Sequence, residues 1–193
     1  MTSTEVGRFS AIPRTAAQTR ILIAALDLFA DHGVSGTSLQ MIADALGVTK
    51  AAVYHQFKTK DEIIVAVTEM QLARLEDALE DAEAAEDRPQ ARELLLNRVI
   101  GLAVEQRRMV GLMQCDPVII RFLAEHEPFQ VFLERLYAAL IGDGTGPETL
   151  VQAAMLSGAI GSAVQHPLVA GLDDATLRSH LVRLTRRLVD LPK

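Results

Sequence analysis

Residues Thr37 to Phe57 read Thr-Ser-Leu-Gln-Met-Ile-Ala-Asp-Ala-Leu-Gly-Val-Thr-Lys-Ala-Ala-Val-Tyr-His-Gln-Phe. Two short apolar-periodic segments meet at Gly47, where a left-handed turn suits the one residue without a Cβ. Ser38 is a preferred N-cap for the first segment and Thr49 for the second. Leu39, Ile42, Ala43 and Leu46 share one face of the first segment. Val53 and Phe57, four apart, point inward with them. Lys50, Ala51, Ala52, Tyr54 and His55 are left facing outward. The pattern predicts a helix-turn-helix whose second helix lies in a DNA major groove.

Each outward residue has a matching chemistry. Lys50 donates to guanine O6 or N7, or to a phosphate, and the small Ala51 and Ala52 permit close approach to a thymine methyl. Tyr54 and His55 set register on phosphates, Lys58 and Lys60 flank them, and Thr49 stands at the same edge. Thr37 and Ser38 offer hydroxyl and backbone N–H groups at the start of the first helix.

The charge distribution agrees. The net charge of the 193 residues is −6, yet residues 1–60 hold six Lys/Arg against four acids, and the remainder thirteen against twenty-one. Gly47 to Lys60 contains three lysines and no acid. A local basic face on an acidic body attracts phosphate and limits nonspecific adhesion. With 49% hydrophobic and 23% charged residues the chain is globular rather than disordered. No apolar run approaches the ~20 residues that span a bilayer. The polar N-terminus lacks a secretion signal. Cys115 has no intrachain disulfide partner. A cytoplasmic protein without membrane contact is expected.

Nearly the whole chain reads as helix, with Gly and Pro at element ends and no alternating strand pattern. The expected class is all-α: a loose arm over 1–14, a three-helix DNA-binding domain over 15–60, and a helical effector-binding and dimerisation domain over 61–193. A first helix from Thr15 to Asp31 buries Ile21, Leu22, Ala25, Leu28 and Phe29 and stops at Gly33. A long helix capped by Thr59 runs from Lys60 to about Ala85. A core helix runs over about 90–106, followed by shorter helices near 109–115, 117–125 and 128–141. After the loop from Gly142 to Gly146, one helix starts at Pro147 and ends at His166-Pro167, and a last one reaches Leu191. Arg8 and Arg14 make the arm a candidate for an adjacent minor groove; a plain tail is the competing reading.

From Thr19 to Val67 the chain resembles the N-terminal domain of the TetR family of bacterial transcriptional regulators. The resemblance rests on Ala25-Leu26-Asp27-Leu28-Phe29 with His32-Gly33, Thr37-Ser38-Leu39, Ile42-Ala43, Leu46-Gly47-Val48-Thr49-Lys50, Val53-Tyr54-His55, Phe57 and Thr59-Lys60-Asp61-Glu62. It implies an all-helical homodimer that reads a near-palindromic operator in double-stranded DNA and binds a small-molecule inducer in its C-terminal helices. It also implies DNA contacts at Thr37, Lys50, Tyr54, His55 and Lys60. Gln56, where the family often has His or Tyr, and Ala51 or Ala52, where it often has Gly, depart from the pattern.

Two features of the C-terminal body suit dimerisation. Leu177, Leu181, Leu184, Leu188 and Leu191 form a 4-3-4-3 seam, and Ala154, Gly158, Gly161 and Ser162 permit close helix approach. Packing within one subunit is the equal alternative from periodicity alone; the resemblance favours a dimer. For the effector, Met109, Met113, Phe122, Phe129, Phe132 and Met155 offer an apolar lining. Gln106, Gln114, Arg121 and His126 offer polar contacts. An apolar or amphipathic effector is expected. The five histidines show no metal-ligand spacing, and no cofactor, phosphate loop or nucleophile elbow is present, so neither metal, cofactor nor enzymatic activity is expected. The functional expectation is a ligand-released repressor. An activator, or a dimeric small-molecule carrier with a vestigial helix-turn-helix, are the alternatives.

Overall fold

Thr15 opens the first helix with a reciprocal cap: its side chain accepts from Gln18 N while the Gln18 side chain accepts from Thr15 N. In the computed structural model, which describes residues 9–142, 144 and 146–189, this helix, α1 (Ala16–Gly36), breaks at Gly33, where φ is 71°. Only glycine takes that conformation without strain, as expected of the stop at that position. Then come α2 (Leu39–Leu46), α3 (Lys50–Gln56), α4 (Lys60–Ala84), α5 (Arg88–Glu105), α6 (Arg107–Cys115), α7 (Pro117–Glu125), α8 (Glu127–Ile141), α9 (Pro147–Ala163) and α10 (Asp174–Thr185). Short 3-10 turns cover Phe9–Ala11 and Pro167–Val169. Among the described residues there is no strand. The chain is all-α.

The buried side chains form two cores. One joins Ile21, Leu22, Ala25 and Phe29 of α1 to Ile42, Ala43, Val53 and Phe57. It also takes Ile63, Ile64 and Val67 from the start of α4, and Met109, Leu112 and Ile119 from α6 and α7. The packing therefore crosses the expected domain boundary at residue 60. The other core gathers the far part of α4 (Leu72, Leu79, Ala82) with α5, α8, α9 and α10. At 1.5 Å per residue the 25-residue α4 is about 37 Å long. It is one rigid strut serving both cores, and α6 spans the seam between them.

The last helix is shorter than its leucine pattern predicts, ending at Thr185 rather than Leu191; Leu191 lies outside the described residues. Leu94 is exposed on α5, the helix expected in the core. Cys115 is exposed at the end of α6.

Candidate nucleic-acid interface

Local chemistry builds the reading head. Ser38 Oγ accepts from Met41 N to start α2. Gly47 turns the chain at φ 65°, and Val48 N returns to Ala43 O. Thr49 Oγ1 accepts from Ala52 N to start α3. Val53 and Phe57 then drop into the first core beside Ile42 and Ala43. This rotates Lys50, Ala51, Ala52, Tyr54 and His55 to solvent, and Tyr54 is 53% exposed. Lys58 Nζ sits 5.1 Å from the Tyr54 ring centroid and donates to His55 O at 3.3 Å. A lysine so placed restrains the phenol and keeps its charge at the edge of the face. Ser38 and Thr49 remain exposed, and a hydroxyl oxygen that caps a helix still has its hydrogen to donate.

Two residues expected on this face also make intramolecular bonds. Thr37 is 2% exposed, and its hydroxyl points to Gly33 O (2.9 Å) and Leu28 O (3.2 Å). Its N–H donates to Val34 O. The Lys60 ammonium donates to Val34 O (2.9 Å) and Thr37 O (3.2 Å). The break at Gly33 leaves helix-end carbonyls that need donors, and Thr37 and Lys60 supply them. Both fasten the α1–α2–α4 joint. The same joint receives Asp116 from the body. Its Oδ2 accepts from Val34 N at 2.9 Å, while its Oδ1 caps α7 through Val118 N and Ile119 N. Nothing in local sequence pattern marks Asp116, 82 residues away, as a partner of the head.

The described part of the arm runs back along α4. Phe9 is buried against Phe129 and Phe132, at ring distances of 5.7 and 5.6 Å. Glu76, itself buried, accepts from Phe9 N and Ser10 N. Arg14 binds Glu69 (2.9 Å) and Ala66 O (3.3 Å), which takes it away from the minor-groove role considered for it. Burial pushes the Glu69 carboxyl above its ordinary value, against the opposing pull of Arg14. Arg8 lies outside the described residues.

A cavity of about 180 Å³ opens among α4, α5, α6, α8 and α9. Gln106, Met109, Met113 and Gln114 line it as expected. The other six expected residues do not. Arg121 is exposed on α7. Phe122, His126 and Phe129 stack on one another, with ring distances of 5.0 and 5.6 Å. Phe129 and Phe132 hold Phe9, so an internal aromatic fills the space assigned to a ligand. Met155 is 55% exposed on the outside of α9. Gln71, Leu72, Leu75, Tyr137 and Leu156, among others, line the cavity instead. The sequence pattern singled out none of these five.

The leucine seam also divides. Leu177 and Leu181 are 2% and 6% exposed, inside their own subunit's core. Gly161 is buried beneath the Gln114 amide of α6. These three are intrachain contacts rather than dimer contacts. Leu188 packs half-buried on the same core. Leu184 is 54% exposed, Ala154 is exposed, and no atom stands within 4 Å of a Cβ built on Gly158. With Leu150, Val151 and Met155, also exposed, Ala154 and Gly158 leave an apolar stripe along α9, and Leu184 is an exposed apolar residue on α10.

An exposed α3 held against α1 and α2 by Val53 and Phe57 has the arrangement of a helix-turn-helix. Residues 21–67 match the family described as "Bacterial regulatory proteins, tetR family", so this segment is similar to the N-terminal domain of that family. The chain is 37% identical over 91 residues to the HTH-type transcriptional regulator AcrR of Shigella flexneri, a match covering 46% of this chain. That match spans only 42% of the relative's length. Two solved structures share the whole fold. A TetR-like transcriptional regulator from Rhodococcus sp. RHA1 has a TM-score of 0.68 at 22% identity, covering 91% of this chain and 97% of that one. The fatty acid degradation regulator FadR from Bacillus halodurans has a TM-score of 0.69 at 18% identity, covering 90% and 96%. Among the described residues, no helix is long and apolar enough to cross a membrane.

Proposed function

We propose that the chain is a sequence-specific transcriptional regulator that binds a near-palindromic operator as a homodimer and is released by a small-molecule effector. The observation that carries this is the outward, acid-free face of α3, held by Gly47, Thr49, Val53 and Phe57. Lys50, Ala51, Ala52, Tyr54 and His55 meet the major groove, and Ser38, Thr49 and Lys58 meet flanking phosphates. The apolar stripe of Leu150, Val151, Ala154, Met155 and Gly158, together with Leu184, is the dimer face. Contiguous exposed apolar surface of this kind marks protein contacts.

Release follows from how α6 is tied. Its Met109, Met113 and Gln114 border the cavity. Asp116, just past its C-terminus, holds the backbone of the head at Val34. An occupant that shifts α6 biases the position of the head, and a coupling of about 1–3 kcal/mol changes operator affinity roughly 5- to 150-fold. Selection of bound sequences from random duplex DNA tests the reading. A near-palindrome with half-sites about one helical turn apart is the expected outcome. Failure to enrich any sequence contradicts it.

A further inference from the structure

The cavity has a chemistry as well as a size. Its volume of about 180 Å³ compares with the roughly 150 Å³ known to hold one benzene ring, and the excess is about one water's share of volume. The lining is apolar apart from Gln71, Gln106, Gln114, Tyr137 and Ser157. It contains no Lys, Arg, His, Asp or Glu. A carboxylate or ammonium brought there would lose its hydration without meeting a counter-charge. Amides, a phenol and a hydroxyl, by contrast, pair with neutral donors and acceptors.

Gln114 is the best-placed reader among them. Its Nε2 donates to Ser157 O at 2.9 Å. Its amide lies against Gly161, in space that any Cβ there would invade. One end of the amide is therefore anchored to α9, which leaves the oxygen as an acceptor. Gln71, Gln106 and Met109 also border a wider, charged cleft, but its arginines are already paired: Arg74 with Glu105, Arg107 with Asp174 and Arg108 with Asp31. Gln71, Gln106 and Met109 thus stand between the cavity and a charged cleft beside α1.

The geometry points to an uncharged effector of single-ring size carrying one short hydrogen-bond donor, with Gln114 accepting from that donor. This rests on the proposed role of the cavity as the effector site. It narrows the expected apolar or amphipathic class to neutral and small. A long acyl chain exceeds the space, and a charged headgroup finds no partner inside.

The test uses the full-length protein without DNA and five probes: toluene, benzyl alcohol, benzoate, benzylamine and hexadecanoate. Calorimetry and the carbon-13 methyl signals of the methionines report binding. Benzyl alcohol is expected to bind most tightly and to shift Met109 and Met113 while leaving Met155 unmoved. Benzoate and benzylamine are expected at least tenfold weaker, and hexadecanoate without effect on those two signals. Gln114→Met, which keeps the volume and removes the acceptor, should weaken benzyl alcohol several-fold and leave toluene unchanged. Tighter binding of benzoate, benzylamine or hexadecanoate, binding by none of the five, or an equal loss of toluene and benzyl alcohol in Gln114→Met overturns the proposal. Operator affinity is measured separately. Benzyl alcohol that moves Met109 and Met113 without changing DNA affinity supports the ligand class and sinks the effector role.

Discussion

Asp116→Ala should cost far more than a surface carboxylate has any right to cost. The side chain makes two connections at once: it caps α7 and it accepts the Val34 N–H at 2.9 Å. Loss of an aspartate cap is worth about 1 kcal/mol. Val34 is fully buried, and leaving a buried N–H without its acceptor adds about 1–3 kcal/mol. The expected total is about 2–4 kcal/mol. Asp87→Ala is the internal control, because Asp87 caps α5 through Gln90 N and is exposed; it should cost about 1 kcal/mol. Asp116→Asn keeps an equally good cap and replaces a charge-assisted bond with a neutral one about half as strong, so it should fall between. Urea unfolding of the three variants gives the energies, and hydrogen exchange at the Val34 amide reports the bond directly. Equal costs for Asp116→Ala and Asp87→Ala, with Val34 exchange unchanged, would refute the tie between head and body.

Other outcomes follow from the same geometry. Lys60→Ala should lower stability by about 1–2 kcal/mol while leaving the salt dependence of DNA binding unchanged. Lys50→Ala should leave stability alone and, on a phosphate, reduce the salt slope by about 1. Parallel urea and salt titrations separate the two, and the reverse pattern contradicts the assignment. Gly47→Ala should cost about 1–2 kcal/mol from backbone strain alone, since a Cβ there meets no atom within 4 Å; a cost near zero by urea unfolding argues against the left-handed turn. Burial raises the folded-state pKa of Glu69, so the folded state holds that proton more tightly than the unfolded state. Its stabilising contribution is complete below about pH 4 and is lost as pH rises through the raised value. Relative to Glu69→Gln, the wild-type urea midpoint should therefore fall as pH increases, and a difference that grows with pH has the wrong sign.

The head was legible because its determinants are local. Ser38, Gly47 and Thr49 act within three or four residues of themselves, and Val53 and Phe57 fix the rotation of α3 on their own. The intramolecular bonds of Thr37 and Lys60 were not legible, because their partners are backbone carbonyls up to 26 residues away in the case of Lys60. The body was legible as helices but not as a site. Periodicity shows which side chains share a face, not which neighbour covers it. Leu177 and Leu184 look equivalent in a heptad, yet one is buried in its own subunit and the other is exposed. Phe129 and Phe132 look like pocket lining until Phe9, more than a hundred residues earlier, is found against them.

Methylation interference on the selected duplex bears most directly on the central claim that the outer face of α3 reads DNA from the major groove. Guanine N7 lies in that groove, where Lys50 and its neighbours are proposed to dock. The account predicts two clusters of interfering guanines about one helical turn apart on one face of the duplex, each weakened by Lys50→Ala. Interference confined to minor-groove adenine N3, or a single cluster indifferent to Lys50, would contradict it.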